Sequence, residues 1–128
     1  MDIVSATFVE NIDFRQVPGP STRVDLTGIM FSLAAPSPPP VTITPHLVVL
    51  VRCRPDENGF SALEVVFTNE AGDQVARSVM PFEVEPGKFG YRLVRAELTY
   101  EDYSTIEAHC QLDAGPVTVV PLTLLPSA

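Results

Sequence analysis

Tryptophan is absent from this chain, lysine occurs once, and cysteine and histidine occur twice each. Without an indole there is no side chain of the kind on which sugar rings commonly stack, which weighs against carbohydrate binding. Positive charge is scarce: 8 basic side chains stand against 16 acidic ones, a net charge of -8. Such a surface repels a phosphate backbone, and no run of Lys or Arg offsets it. The nearest approaches to a basic cluster, Arg52/Arg54 and Arg92/Arg95, read as solvated strand faces, so no nucleic-acid partner is expected. Long apolar runs are missing too. The longest, Leu47 to Val51, is strand-sized and far short of a membrane span. The opening MDIVSATFVE has neither the basic nor the long apolar region of a secretory signal. With its initial Met, the chain is expected to be cytoplasmic, where Cys53 and Cys110 stay as reduced thiols.

A sustained helical period is also lacking. What the chain has instead is 13 prolines and 7 glycines, separating short runs rich in Val, Ile, Thr, Phe and Tyr. That rhythm, in 128 residues that are 45% apolar, predicts one all-β domain over residues 1–128. The expected architecture is an antiparallel β-sandwich of about eight strands, immunoglobulin-, fibronectin- or C2-like, with little or no helix.

The first strand covers about Ile3 to Phe14, with Val4, Ala6 and Phe8 on one face and a bend or bulge near Asn11. The second runs from Val24 to Ala34 around Gly28, where a bulge or a close backbone approach is expected. APSPPP then forms a stiff connector. The third strand, His46 to Arg54, is apolar on both faces over Leu47 to Val51, the mark of a central strand covered on both sides. Strands at Ala62–Thr68 and Gln74–Val84 flank the turn NEAGD, and another follows from Tyr91 to Leu98. YEDYS reads as a single helical turn. Thr105 to Leu112 alternates strictly, and Val117 to Leu124 shifts its apolar set at Val120, which predicts a bulge there.

Consecutive antiparallel strands place the loops at 15–23, 55–61, 86–90 and 113–116 at one end, and those at 35–45, 69–73 and 99–104 at the other. Asp56, Glu57 and Asp113 thereby become candidate calcium ligands, although no loop has the dense carboxylate spacing that calcium needs. Glu70, Asp73, Glu101 and Asp102 share the other end. His46, His109, Cys53 and Cys110 are the strong transition-metal ligands, yet none has chelating spacing, and neighbours on a strand point to opposite faces. EPGKFG contains Gly87, Lys88 and Gly90 but precedes a strand rather than a helix, so it reads as a turn and not a phosphate loop. Glu83/Glu85 and Glu97/Glu107 are the carboxylate pairs open to acid–base work, and solvation accounts for them. No Gly-x-Ser-x-Gly elbow or cysteine signature marks a nucleophile.

Ala6, Phe8 and Val9 in the first strand, LTGIMFSL around Gly28, the Pro-rich connector, LVVLVRC, LEVVFTNEAGDQVAR and the closing VTVVPLTLLP together form a pattern. This pattern resembles a family of small bacterial all-β sandwich proteins of unknown function. The chain departs from that family near its start, where Gly28 stands in place of consecutive glycines. The resemblance implies a fold and carries no catalytic residues.

The expected function is a non-catalytic interaction or structural module, forming a homodimer or holding a protein partner through a sheet edge or loops. The first strand, long and terminal, is the expected edge. A calcium- or small-ligand-binding domain is the alternative, and a hydrolytic enzyme built around His46 or His109 ranks last. No cofactor is expected.

Overall fold

The computed structural model describes residues 1–19 and 22–127. Among the described residues there are eleven strands and no helix. They are β1 (Asp2–Gln16), β2 (Thr22–Met30), β3 (Ser32–Ala34), β4 (Val41–Ile43), β5 (His46–Arg52), β6 (Phe60–Thr68), β7 (Gln74–Glu83), β8 (Phe89–Arg95), β9 (Leu98–Tyr100), β10 (Thr105–Leu112) and β11 (Val117–Leu125). A four-stranded sheet runs β2-β1-β5-β8, a five-stranded sheet β3-β11-β10-β6-β7, and β4 pairs with β9.

Both large sheets feed one core. Phe8, Leu47, Val49, Val51 and Val94 come from the first, Leu63, Val65, Phe67, Ile106, Ala108, Leu122 and Leu124 from the second, with Val41, Leu98 and Tyr100 from the small sheet. Burial of aliphatic and aromatic side chains at roughly 1.5–3 kcal/mol each is what holds the layers together. Among the described residues no helix is long and apolar enough to cross a membrane.

Three strands beyond the expected eight arise where the chain changes sheets. The predicted second strand breaks at Phe31: β2 is antiparallel to β1, while β3 runs parallel to β11. The sheets are therefore not purely antiparallel. The predicted sixth strand likewise divides into β8 and β9, and β9 pairs with β4, which emerges from the end of the proline connector. YEDYS is a bend, not a helical turn. The predicted bulge at Val120 is absent, because β10 and β11 keep one register from Thr105–Thr123 to Gln111–Val117. Val117 and Val119 are apolar residues on the outer face, exposed, while Val120, Leu122 and Leu124 face inward. A bulge does occur in β1, between Ile3 and Ser5. It turns Val4 out to solvent and away from the face shared by Ala6 and Phe8.

The first strand is not a simple edge. It pairs with β5 over Asp2 to Val9 and with β2 over Phe8 to Gln16, so each half has a ladder on one side only. The second half also turns back on the body. Tyr91 lies opposite Leu50, and Leu50 opposite Ser5. A straight β1 at about 3.3 Å per residue would carry Phe14 roughly 30 Å beyond that row. Instead the Phe14 and Tyr91 rings meet at 4.8 Å between centroids. The chain doubles back where Glu10 lies over Gly28, whose φ of +66° and missing Cβ leave room for the Glu10 side chain. The resulting arm, formed by β2 and the second half of β1, is seated on the outer face of β5 and β8 at Leu50 and Tyr91. Val48 faces away from the main core yet is only 1% exposed, as a central strand covered on both sides requires.

Candidate functional site

The loops sort to the two ends much as expected, with 55–61, 86–90 and 113–116 together. Cys53 N–H donates to Lys88 O, Gly87 N–H to Cys53 O, and Asp113 reaches Ser61. The tip of the 15–23 loop includes residues 20 and 21, which lie outside the described residues.

At this end Glu57 and Asp113 line one shallow groove and Asp56 is not part of its wall. Glu57 accepts from the Met1 amine and, through Oε1, from Arg54 N–H at 3.0 Å. Asp113 takes Ser61 Oγ–H on Oδ2 at 2.8 Å and Ala62 N–H on Oδ1 at 3.0 Å. These carboxylates organise turns. Among the described residues no three His, Cys, Asp or Glu side chains converge to hold a metal ion.

The Ser61 hydroxyl, then the Ala62 amide, hold the Asp113 carboxyl below its ordinary pKa. A depressed carboxylate stabilises the fold above its unfolded value near 3.9, and that contribution disappears as pH falls through the folded value. Asp113→Asn is therefore expected to be less stable than the parent at pH 7 in urea, with the gap closing on acidification. A gap that stays constant across that acid range would refute the assignment.

At the opposite end Glu70, Glu101 and Asp102 line a groove beside Tyr100 and Ile106. Two of the three carboxylates hold amides of the turns: Glu70 Oε1 accepts from Thr105 N–H at 2.9 Å and Asp102 Oδ1 from Tyr103 N–H at 2.8 Å. Asn69 closes the NEAGD turn, its Oδ1 accepting from Asp73 N–H and its carbonyl from Gly72 N–H.

The remaining candidates are dispersed. His46 opens β5 and Cys53 follows its far end, a separation of about 23 Å along the strand. His109 lies on the outer face of β10 while Cys110 points into the core. Both cysteines are buried, free thiols. Burial pushes the Cys110 thiol up to about 12, which makes it a poor nucleophile at neutral pH. Lys88 pairs with Glu85 at 2.8 Å, its amide donates to Glu85 O, and the Gly87 amide is given to Cys53 O. Those amides are spent within the turn rather than presented to a phosphate.

Two carboxylate pairs expected from the sequence do not form. Glu83 ends β7 and Glu85 is already in the turn, so they share no strand face. Glu97 lies in the β8–β9 connector, outside any strand, and Glu107 on β10 of the five-stranded sheet, so they are not cross-strand neighbours. Arg92 is stacked 4.9 Å above the Phe82 ring and donates to Pro81 O, and Arg54 pairs with Asp2.

One contact was not anticipated. His109 Nε2 lies 3.0 Å from Thr68 Oγ1 in a groove with Glu107 and Glu70. A hydroxyl beside an imidazole resembles a nucleophile and base, but activation needs a third group on the other ring nitrogen. Glu107 approaches the same Nε2, at 3.9 Å, so that order is not assembled. Thr68 and His109 are cross-strand neighbours on an outer face, a relation set by the β6–β10 register and invisible in a linear sequence.

Surface architecture offers more than side-chain chemistry does. The five-stranded sheet ends in the three-residue β3 on one side and in β7 on the other, and β7 is ten residues long with Val75 and Val79 exposed on its outer face. It is interrupted at one end by the register shift at Phe67/Thr68 and near the other by Pro81. Between them, Val75 to Met80 contains one charged residue, Arg77, which pairs with Glu64 on β6. No model of a known protein family matches the chain, and comparison with curated proteins finds no significant relative.

Proposed function

We propose that this chain is a non-catalytic interaction module, an immunoglobulin-like β-sandwich that joins a second copy by strand addition along β7. The observation that carries the reading is the open Val75–Met80 stretch. It offers a row of backbone donors and acceptors on a long, nearly uncharged edge of a well-packed sheet. Natural edges are usually protected by charge, proline or bulges; here Pro81 and the register shift stand at the two ends, and the one charge between them, Arg77, is paired with Glu64. Two free, buried thiols fit a cytoplasmic setting.

Antiparallel self-pairing has few acceptable registers, because directly opposed residues must share a face. Centring on Arg77 would oppose two like charges. Centring on Ser78 sets Arg77 against Val79 of the second copy and continues both five-stranded sheets into one.

Val79 is 53% exposed, so Val79→Lys leaves the core intact. Sedimentation equilibrium is expected to show a concentration-dependent dimer that Val79→Lys weakens by at least about tenfold, equivalent to about 1.4 kcal/mol, with the melting temperature of the monomer retained. A parent protein that stays monomeric at every concentration, or a dimer indifferent to the substitution, would eliminate this reading.

A further inference from the structure

The arm is joined to the body in an unusual way. Beyond Val9, β1 has no further ladder with β5, and its backbone pairing is with β2. Side chains therefore provide the hold between the seated arm and the outer face. Phe14 meets Tyr91, and Phe14 and Val24 together with Leu50 and Tyr91 line the groove between arm and β8. The seat is shallow: the two rings are 52% and 40% exposed.

The arm also holds itself together. Its ladder sets Asp13 opposite Asp25 and Arg15 opposite Arg23, arrangements that repel. Arg15 resolves both by a diagonal two-pronged grip on Asp25, Nε to Oδ2 and Nη2 to Oδ1, each at 3.1 Å. The ribbon can thus leave the body without losing its own pairing, turning about the Glu10–Gly28 crossing.

We propose that this arm is an exchangeable clasp, seating either on its own outer face or on the same face of a second copy. Three features combine to give this. Unseating the arm would part Phe14 from Tyr91 and open the apolar groove that Phe14 and Val24 share with Leu50, so an open monomer is disfavoured. A second copy offers an identical seat, so exchange recreates every contact broken. No ladder with β5 has to be broken to reach it. Exchange of identical elements is a low-cost route to a dimer, and its balance is set by protein concentration against the effective concentration of the tethered arm. The surface is distinct from the β7 edge, and the clasp does not depend on strand addition there.

The test uses the full chain with Phe14 replaced by a photoreactive aromatic amino acid, as an equal mixture of isotopically heavy and light protein. The sample is unfolded, refolded together at high concentration and irradiated. Digestion and mass spectrometry then identify the peptide joined to position 14. The expected partner is the peptide containing Tyr91. In the dimer fraction, heavy–light pairs should make up about half of these links, the statistical share for random exchange, and should fall away on refolding at high dilution. Links that are only heavy–heavy and light–light at every concentration would overturn the clasp, including when a dimer is present, because a dimer joined through β7 keeps each arm on its own body. Links that miss the Tyr91 peptide altogether would overturn the seat itself.

Discussion

Tyr100→Ala is expected to cost about 3–5 kcal/mol of folding stability, the range for removing a large buried aromatic side chain. Tyr100 is 1% exposed and its hydroxyl donates to Leu122 O at 2.7 Å. The ladder between β4 and β9 has only three residue pairs, too short to stand by itself, so this ring and its hydrogen bond tie the small sheet to β11. Burial also raises the pKa of the hydroxyl well above that of an exposed tyrosine, keeping it a neutral donor across the accessible pH range. Tyr100→Phe keeps the ring and removes the donor, so it should cost about 1 kcal/mol, the usual net worth of a single hydrogen bond. Urea denaturation of the two variants separates packing from hydrogen bonding. An alanine variant within about 1 kcal/mol of the parent would show that the ring does not anchor the small sheet.

Gly59→Ala is the second large effect, expected at about 2–4 kcal/mol from left-handed backbone strain plus a steric clash. Gly59 has a φ of +84°, and a Cβ there would sit 2.5 Å from Val84 O. The neighbouring atoms have little freedom to retreat, because Val84 N–H donates to Gly59 O at 2.9 Å and Val84 is buried. Gly72 is the control. It has nearly the same φ, +85°, but open space where its Cβ would be. Gly72→Ala should therefore show only the conformational strain, about 1 kcal/mol. Equal losses for the two variants in thermal denaturation would mean that the Val84 carbonyl plays no part.

Alternation proved the most informative feature of the sequence. The predicted strand from Thr105 to Leu112 coincides with β10 residue for residue, because one face is uniformly apolar and the other polar. The two-sided apolar run at Leu47–Val51 correctly indicated a strand covered on both faces. What the pattern does not encode is which strand lies beside which. The three-residue ladders β3, β4 and β9 are too short to show any period and exist because neighbouring strands supply their partners. Val117 and Val119 were misread for a related reason: an exposed valine on an outer face has the same signature as a slipped register.

The same limit applies to the candidate sites. That Glu57 and Asp113 share an end follows from counting loops. That their oxygens are engaged with Arg54, Ser61 and Ala62 depends on three-dimensional register. Strand order was equally out of reach, so β7 was not anticipated as the open edge. The bulge expected near Asn11 is absent, because β1 keeps one register with β2 through that point, and Phe14 comes to Tyr91 because the whole ribbon turns back.

The change of partner along β1 sets an order of assembly. Its contacts with β2 join near neighbours in the chain, and such a hairpin forms within about 1–10 μs. Its contacts with β5 link Asp2 to Arg52 and must wait until the intervening chain has been brought together. During synthesis the ribbon is thus ready before its resting place exists. The part of the molecule able to form first is the part least fastened when folding ends, and several ribosomes on one message would present each early ribbon to neighbouring nascent chains before its own docking surface is complete.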